Sequence, residues 1–449
     1  MNHGTYGLFN LTLIDGTGNE PQYGKGIIIK DGKIHQITSS DKVKDYAKDI
    51  PKYDMDGMTL LPGLIDAHVH LSGVMGDRVS AFNINHTVRA YKSLIQSQAM
   101  MSYGFTSVRD ISPLGLYLKR LIARGEVTGP RIIACGPGLG RSGGHADIPE
   151  LPFSMVDNRN DWTSNHYWGV FADGEVEIRK KIRLQLREGA DQIKFWASGG
   201  GYSSVDRLDD VHYTLEECKV IVHEAKLINH MKVLSHAEDV KSIEYSIEAG
   251  VDSIEHGDAL NEELAEKMVE KGIYLVPTIN LVGNWYLDRF GDKKVEITPS
   301  SMEYGPFRQI DIMKESIDID PYECRDATYN MFKMAKEKGV KIAMGSDTVR
   351  DQTTKYGEYS VREMLAMEEA GMTALEVITA ATQTASEVLG LDQYIGTIEE
   401  GKVGDFIIVK GNPAENLKLL LDKDNIKYIF QDGQLKVQEG KMLNFGGIL

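Results

Sequence analysis

Apolar and polar positions along the chain fall into two textures. At residues 7–16, 25–37 and 58–63, short apolar runs are punctuated by Asp15-Gly16, Asp31-Gly32 and Asp56-Gly57. Asp-Gly between such runs predicts hairpins, because glycine accepts positive φ without steric penalty. The C-terminal stretch repeats the texture at 401–410, 425–437 and 439–445. The two ends therefore predict one small β-sandwich domain built from both termini, residues 1–61 and 396–449. Residues 62–395 form a single long domain between them.

Within that long span the texture alternates. β-type runs at 61–70, 105–110, 131–136, 191–197, 232–237, 252–257, 273–278 and 341–347 enclose amphipathic helical stretches such as 88–104, 175–189, 214–230, 242–250 and 262–272. Several of these stretches end in glycine after a charged last turn, a common helix stop. Thr214 and Glu217 match a capping box. Eight alternations predict an α/β fold, a (β/α)8 TIM-like barrel, although an open doubly wound sheet would use the same alternation. Three long connections, 137–172, 198–213 and 279–323, each follow a strand and would lie over the C-terminal mouth of a barrel. The first holds Phe153, Trp162, Tyr167 and Trp168, and the third Trp285, Tyr286 and Phe290. These aromatics either pack the loops down or form an apolar wall for a substrate.

Composition narrows the classes. The chain has 449 residues, 42% apolar and 26% charged, which excludes disorder for its bulk. No apolar run reaches the ~18 residues that span a bilayer, and the N-terminus lacks the pattern of a secretory signal. The 50 basic and 66 acidic residues leave a net charge of −16, which disfavours nucleic acid and anionic membrane as partners. Cys135, Cys218 and Cys324 are too widely spaced for a disulfide framework or a CxxC metal site, so a cytoplasmic location is expected.

The chemistry gathers at predicted strand ends. In a strand, His68 and His70 point to one face, and two buried imidazoles are unfavourable unless something binds them. Lys194, His236, His256 and Asp347 also lie at or near the C-terminal ends of their runs. Singly, each has a structural explanation: a core histidine, a snorkelling lysine, a helix cap. Jointly, on strands one, four, five, six and eight of a barrel, they predict a shared metal site.

The string Pro62-Gly63-Leu64-Ile65-Asp66-Ala67-His68-Val69-His70 resembles the first metal motif of the amidohydrolase superfamily. Lys194, His236, His256 and Asp347 match the rest of its binuclear pattern in order, and residues 396–405 resemble the return to its β domain. Gly143-Gly144-His145, Ser198-Gly199-Gly200 after Lys194, and Ser253-Ile254-Glu255-His256-Gly257 are similar to the imidazolonepropionase-related branch that holds Xaa-Pro dipeptidases and basic-residue carboxypeptidases. The resemblance implies two divalent metal ions, Zn²⁺ first. His68, His70 and Asp347 would hold one and His236 and His256 the other, with Lys194 carboxylated on Nζ as the bridge. It further implies attack by water activated between the ions, Asp347 as general base and then acid, His145 as a catalytic, substrate-binding residue, and Tyr213 as a ligand of a substrate carboxylate. The loop 201–208 departs from the family pattern, and Arg207 and Arg350 are alternative carboxylate anchors. The implied protein is a homo-oligomeric hydrolase acting on a small molecule, an amide of a dipeptide or N-acyl amino acid, with Xaa-Pro dipeptides leading. Alternatives are a non-peptide amide, carbamate, lactone or aromatic N-acyl compound and, remotely, an inactive scaffold.

Overall fold

The computed structural model describes residues 4–73, 84–148, 151–156, 169–200, 206–228, 230–290, 295–297, 317–348 and 355–443. The two predicted textures become two parts, an α/β barrel and a β-rich domain.

Both termini enter one nine-stranded sheet. Its centre is the antiparallel pairing of Thr59–Pro62 with Phe406–Val409, in the register Leu61 to Ile407. N-terminal strands, including Tyr6–Leu13 and Gln22–Lys30, extend it on one side, and Ile426–Gln431 and Gln434–Gln438 on the other. The Asp31-Gly32 turn joins Gln22–Lys30 to Lys33–Ser39 with both residues at positive φ, as predicted. One face buries Leu8, Ile27, Ile29, Phe406 and Phe430 in a cluster of its own.

The barrel strands are Leu64–Val69, Phe105–Asp110, Arg131–Ala134, Gln192–Trp196, Lys232–Ala237, Ser253–His256 and Tyr274–Val276. They pair in parallel, except that the third reaches the fourth through the Asp191 N–H donating to Ala134 O at 2.7 Å. Residues 341–348 close the ring: Leu275 bridges to Ile342 and Val69 to Thr348, both parallel. The backbone N–H of Asp347 donates to His68 O at 2.8 Å across that seam. The order is thus cyclic, which an open sheet would not give.

The predicted helices form at Gly174–Glu188, Leu215–Lys226, Val240–Ala249 and Glu262–Lys271. Gly189, Gly250 and Gly272 end three of them in the left-handed conformation. Thr214 and Glu217 make the predicted capping box. The outer faces of the strands pack on these helices through Val69, Val108, Ile193, Phe195 and Ile254.

Two predicted loops carry regular structure. Within 137–172, Gly138–Gly140 and Gly169–Phe171 pair in parallel, and Leu139 also pairs with Phe195 of the fourth barrel strand. Within 279–323 a helix runs Ile279–Phe290, and Val295–Ile297 pairs antiparallel with Ile317–Ile319. The cap of that helix is distant in sequence: Glu363 accepts from the N–H groups of Ile279 and Asn280 at 2.9 and 2.7 Å. Among the loop aromatics, Phe153 stacks on Phe171 with centroids 5.4 Å apart. Trp162, Tyr167, Trp168 and Arg350, and the side chains of Trp285, Tyr286 and Phe290, lie outside the described residues. No helix among the described residues is long and apolar enough to cross a membrane.

Candidate metal centre

Strand alternation sets the inner face of the barrel. His68 on the first strand, His70 just past its end, Lys194 on the fourth and His236 on the fifth are all buried there. His256 and Asp347 have positive φ, 69° and 47°. Such φ is strained for residues with a Cβ and re-aims a side chain that plain alternation would turn away. At His256 the twist lets Glu255 and His256 both face inward, although they are neighbours.

The six side chains expected at the centre meet. Ring centroids lie 5.4 Å apart for His68 and His70, 5.3 Å for His68 and His256, and 4.6 Å for His236 and His256. Asp347 Oδ1 is 2.9 Å from His70 Nε2 and 3.5 Å from His68 Nε2. Lys194 is buried within electrostatic reach of His68, His236, His256 and Asp347. Burial pulls its ammonium down to about 8, against the opposing pull of Glu255 and Asp347. Burial also pulls His256 down to about 4 and holds His68 and His236 well below the usual imidazole range. Burial alone would raise the Asp347 carboxyl, but the neighbouring His68 and His70 hold it below the usual carboxylate range.

The hydrogen bonds behind the rings decide what the front of the centre can bind. His70 Nδ1 faces Ile111 O at 2.8 Å. A carbonyl only accepts, so Nδ1 carries the hydrogen. His68 Nδ1 faces Glu255 Oε2 at 2.7 Å, a carboxylate that also accepts from Arg109 and Ser253. In the neutral state both rings therefore turn Nε2 lone pairs toward the Asp347 carboxylate. Acceptors converging on one point repel each other unless a cation lies among them. The donor set fits one: imidazole and oxygen without thiolate suit Zn²⁺, Mn²⁺ or Co²⁺. His68, His256 and Asp347 offer ligand atoms within 4.8 Å of one another, and so do His236, Glu238 and His256.

Of the second-tier residues, His145 joins the centre. Its ring stacks on His236 at 4.7 Å, and its Nδ1 lies 3.5 Å from Asp206 Oδ2, which is also 3.0 Å from His212 Nε2. Tyr213 stands elsewhere: its ring packs edge-on to the outward-facing Phe195, and its hydroxyl donates to Ala172 O at 3.2 Å. Arg207 forms an exposed ion pair with Asp209 at 3.3 Å.

Sequence reasoning missed Glu238, Asp206 and the pair Arg109–Glu255. Glu238 carried a usable signal, since it lies two residues beyond His236 at a strand end. Arg109 carried none, because its partner Glu255 is remote in the chain, and Asp206 lies in a loop where only the fold brings it to His145.

Comparison with known proteins agrees with this geometry. The model of the "Amidohydrolase family" matches residues 59–436. Ochratoxinase of Aspergillus niger is 31% identical over 434 residues, covering 94% of this chain and 85% of that protein. Imidazolonepropionase of Legionella pneumophila (strain Lens) is 24% identical over 414 residues, 89% of this chain and 91% of that protein. A crystal structure of a Xaa-Pro dipeptidase with bound methionine in the active site superposes with a TM-score of 0.78 at 30% identity, covering 96% of this chain and 99% of that one. Cyclic strand order, converging ligand-type side chains and full-length likeness lead to one assignment: the chain belongs to the amidohydrolase family and is a hydrolase.

Proposed function

We propose that this hydrolase cleaves the amide bond of a dipeptide or an N-acyl amino acid, with Xaa-Pro dipeptides the leading substrates. The observation that carries the proposal is the convergence of His68, His70 and Asp347 as acceptors beside His236, His256 and the depressed Lys194. In this reading His68, His70 and Asp347 hold one divalent ion and His236 and His256 the other. Lys194 would join them as its Nζ carbamate, formed when the neutral amine takes up carbon dioxide and releases a proton to solvent, and would supply an anionic oxygen ligand. When bound, such ions lower the pKa of water from ~15.7 towards ~7 and polarise a carbonyl. That is on the order of 12 kcal/mol in favour of hydroxide, at ~1.36 kcal/mol per unit.

The chain's own groups supply the remaining chemistry. A carboxylate oxygen of Asp347 takes a proton from the attacking water and returns it to the leaving nitrogen. Burial would raise the Asp206 carboxyl, but His145 and His212 hold it below the usual carboxylate range. It therefore stays anionic, 3.5 Å from Nδ1 of His145, and its charge helps to fix which way that ring faces. His145, stacked against His236, is then oriented toward a substrate carbonyl oxygen or carboxylate.

A second reading, hydrolysis of an aromatic N-acyl compound, is favoured by the likeness to ochratoxinase, itself an amide hydrolase. The test is metal quantification paired with a hydrolysis screen of Xaa-Pro dipeptides, other dipeptides and aromatic acyl amides. We expect about two equivalents of divalent ion and turnover of dipeptides. Turnover confined to aromatic acyl compounds would replace the first reading with the second. Absence of bound metal from active protein would remove both.

A further inference from the structure

Beneath the metal centre lies a charged pair that its ligand set does not explain. Arg109, on the second barrel strand, and Glu255, on the sixth, are both fully buried. In an eight-membered ring these strands stand opposite each other, so the guanidinium crosses the barrel. Its Nη2 donates to both Glu255 oxygens at 2.8 Å. Its Nε donates to Ala67 O of the first strand at 2.5 Å. Its Nη1 donates to Ser253 Oγ at 3.2 Å and to Gln192 Oε1, on the fourth strand, at 3.4 Å. Ser253 Oγ donates to Glu255 Oε1 at 2.6 Å. The final acceptor position of the carboxylate is filled by His68 Nδ1.

Stability is a weak reason for such a pair. Desolvating two charges is expensive, and a well-packed apolar pair of similar volume is often as stable or more so. The pair does accomplish one thing that apolar residues would not. A carboxylate behind Nδ1 locks the hydrogen there, turns the Nε2 lone pair forward and makes the imidazole a stronger donor to a cation.

We propose that Arg109 and Glu255 are a positioning pair whose purpose is to set the tautomer and orientation of His68 for divalent metal binding. Arg109 holds both Glu255 oxygens in place, and Glu255 sets His68. The inference rests on the reading of His68 as a metal ligand. It adds that the affinity of the His68–His70–Asp347 position depends on a residue on the opposite wall of the barrel.

The experiment measures Zn²⁺ affinity by competition with a chromophoric chelator, together with thermal melting of the metal-free protein. Its subjects are wild type, Glu255→Gln and the double variant Arg109→Met/Glu255→Leu. Glutamine keeps the shape but removes the charge and can present its amide N–H to Nδ1, which inverts the tautomer. We expect one of two Zn²⁺ sites to weaken about 10- to 100-fold in Glu255→Gln while the other is unchanged. We expect the double variant to melt near wild type yet show the same selective loss. Zn²⁺ binding at wild-type affinity in either folded variant overturns the inference and leaves the metal reading intact. Failure of both variants to fold assigns the pair to the scaffold and also overturns it. Absence of Zn²⁺ binding by the wild type removes the metal reading and the inference with it.

Discussion

At the scale of single residues, the chemistry depends on groups held away from their solution behaviour. Lys194 lies in the apolar run 191–197, and burial lowers its ammonium to about 8, so a reactive fraction of neutral amine exists near neutral pH. Lys194→Ala should lower metal content well below that of wild type. Activity should return in part when a short carboxylic acid is added to replace the missing carbamate oxygens. Metal content equal to wild type, measured by atomic absorption, would count against the bridge. The residues that meet at the centre were legible because each lies at the end of a β-type run, where the barrel rule says catalysis gathers. Arg109 was not, because an arginine inside 105–110 is uninformative until its partner on strand six is known.

At the scale of elements, close packing around the lysine matters as much as its burial. A Cβ on Gly138 would lie 2.5 Å from Trp196 Cζ3 and 3.2 Å from Lys194 Cγ. The short strand Gly138–Gly140 can lie beside the fourth barrel strand only without a side chain at that position. Gly138→Ala should therefore destabilise the fold by about 1–3 kcal/mol, as overpacking does, and should reduce metal content by displacing Lys194. An unchanged melting temperature together with full metal occupancy would show that the ring of Trp196 yields without consequence. The helices with glycine stops and the capping box at Thr214 were readable because their signals lie within one or two turns of sequence. The helix Ile279–Phe290 was not, since its cap, Glu363, comes 84 residues later.

At the scale of the whole molecule, buried carboxyls tie stability to pH. Burial pushes Glu363 up to about 8, against the hydrogen bonds from Asn280 and Ile279. Burial also pushes Asp66 and Asp110 up to about 6. An acid whose pKa is raised by folding binds a proton more tightly in the native chain. Its stabilisation is complete below the unfolded pKa of ~4 and is lost as pH climbs through the folded value. The two aspartates act mostly below pH 6, so among these three groups the window from 6 to 8 belongs to Glu363. The melting temperature of wild type should fall across that window, and Glu363→Gln should flatten the fall. Equal slopes for the two proteins would show that Glu363 ionises in the native state without penalty. The seam between barrel and terminal sheet is also ionic, with Arg131 bonded to Asp405 and, at 2.8 Å, to Asp432.

Local pattern determined the main barrel strands, the helices with glycine stops, the shared β texture of the two ends, and the side chains that would meet at a barrel mouth. All of these follow from short-range periodicity and turn chemistry, which the chain displays regardless of what it later packs against. Tertiary structure alone decided the cyclic closure through residues 341–348, the outward placement of Tyr213, and the network from Arg109 through Glu255 to His68. Each of these is a contact between residues far apart in the chain, specified by which wall of the barrel faces which. The strained φ at His256 and Asp347 belongs with them, because only a surrounding packed fold can hold a side chain against its own backbone preference.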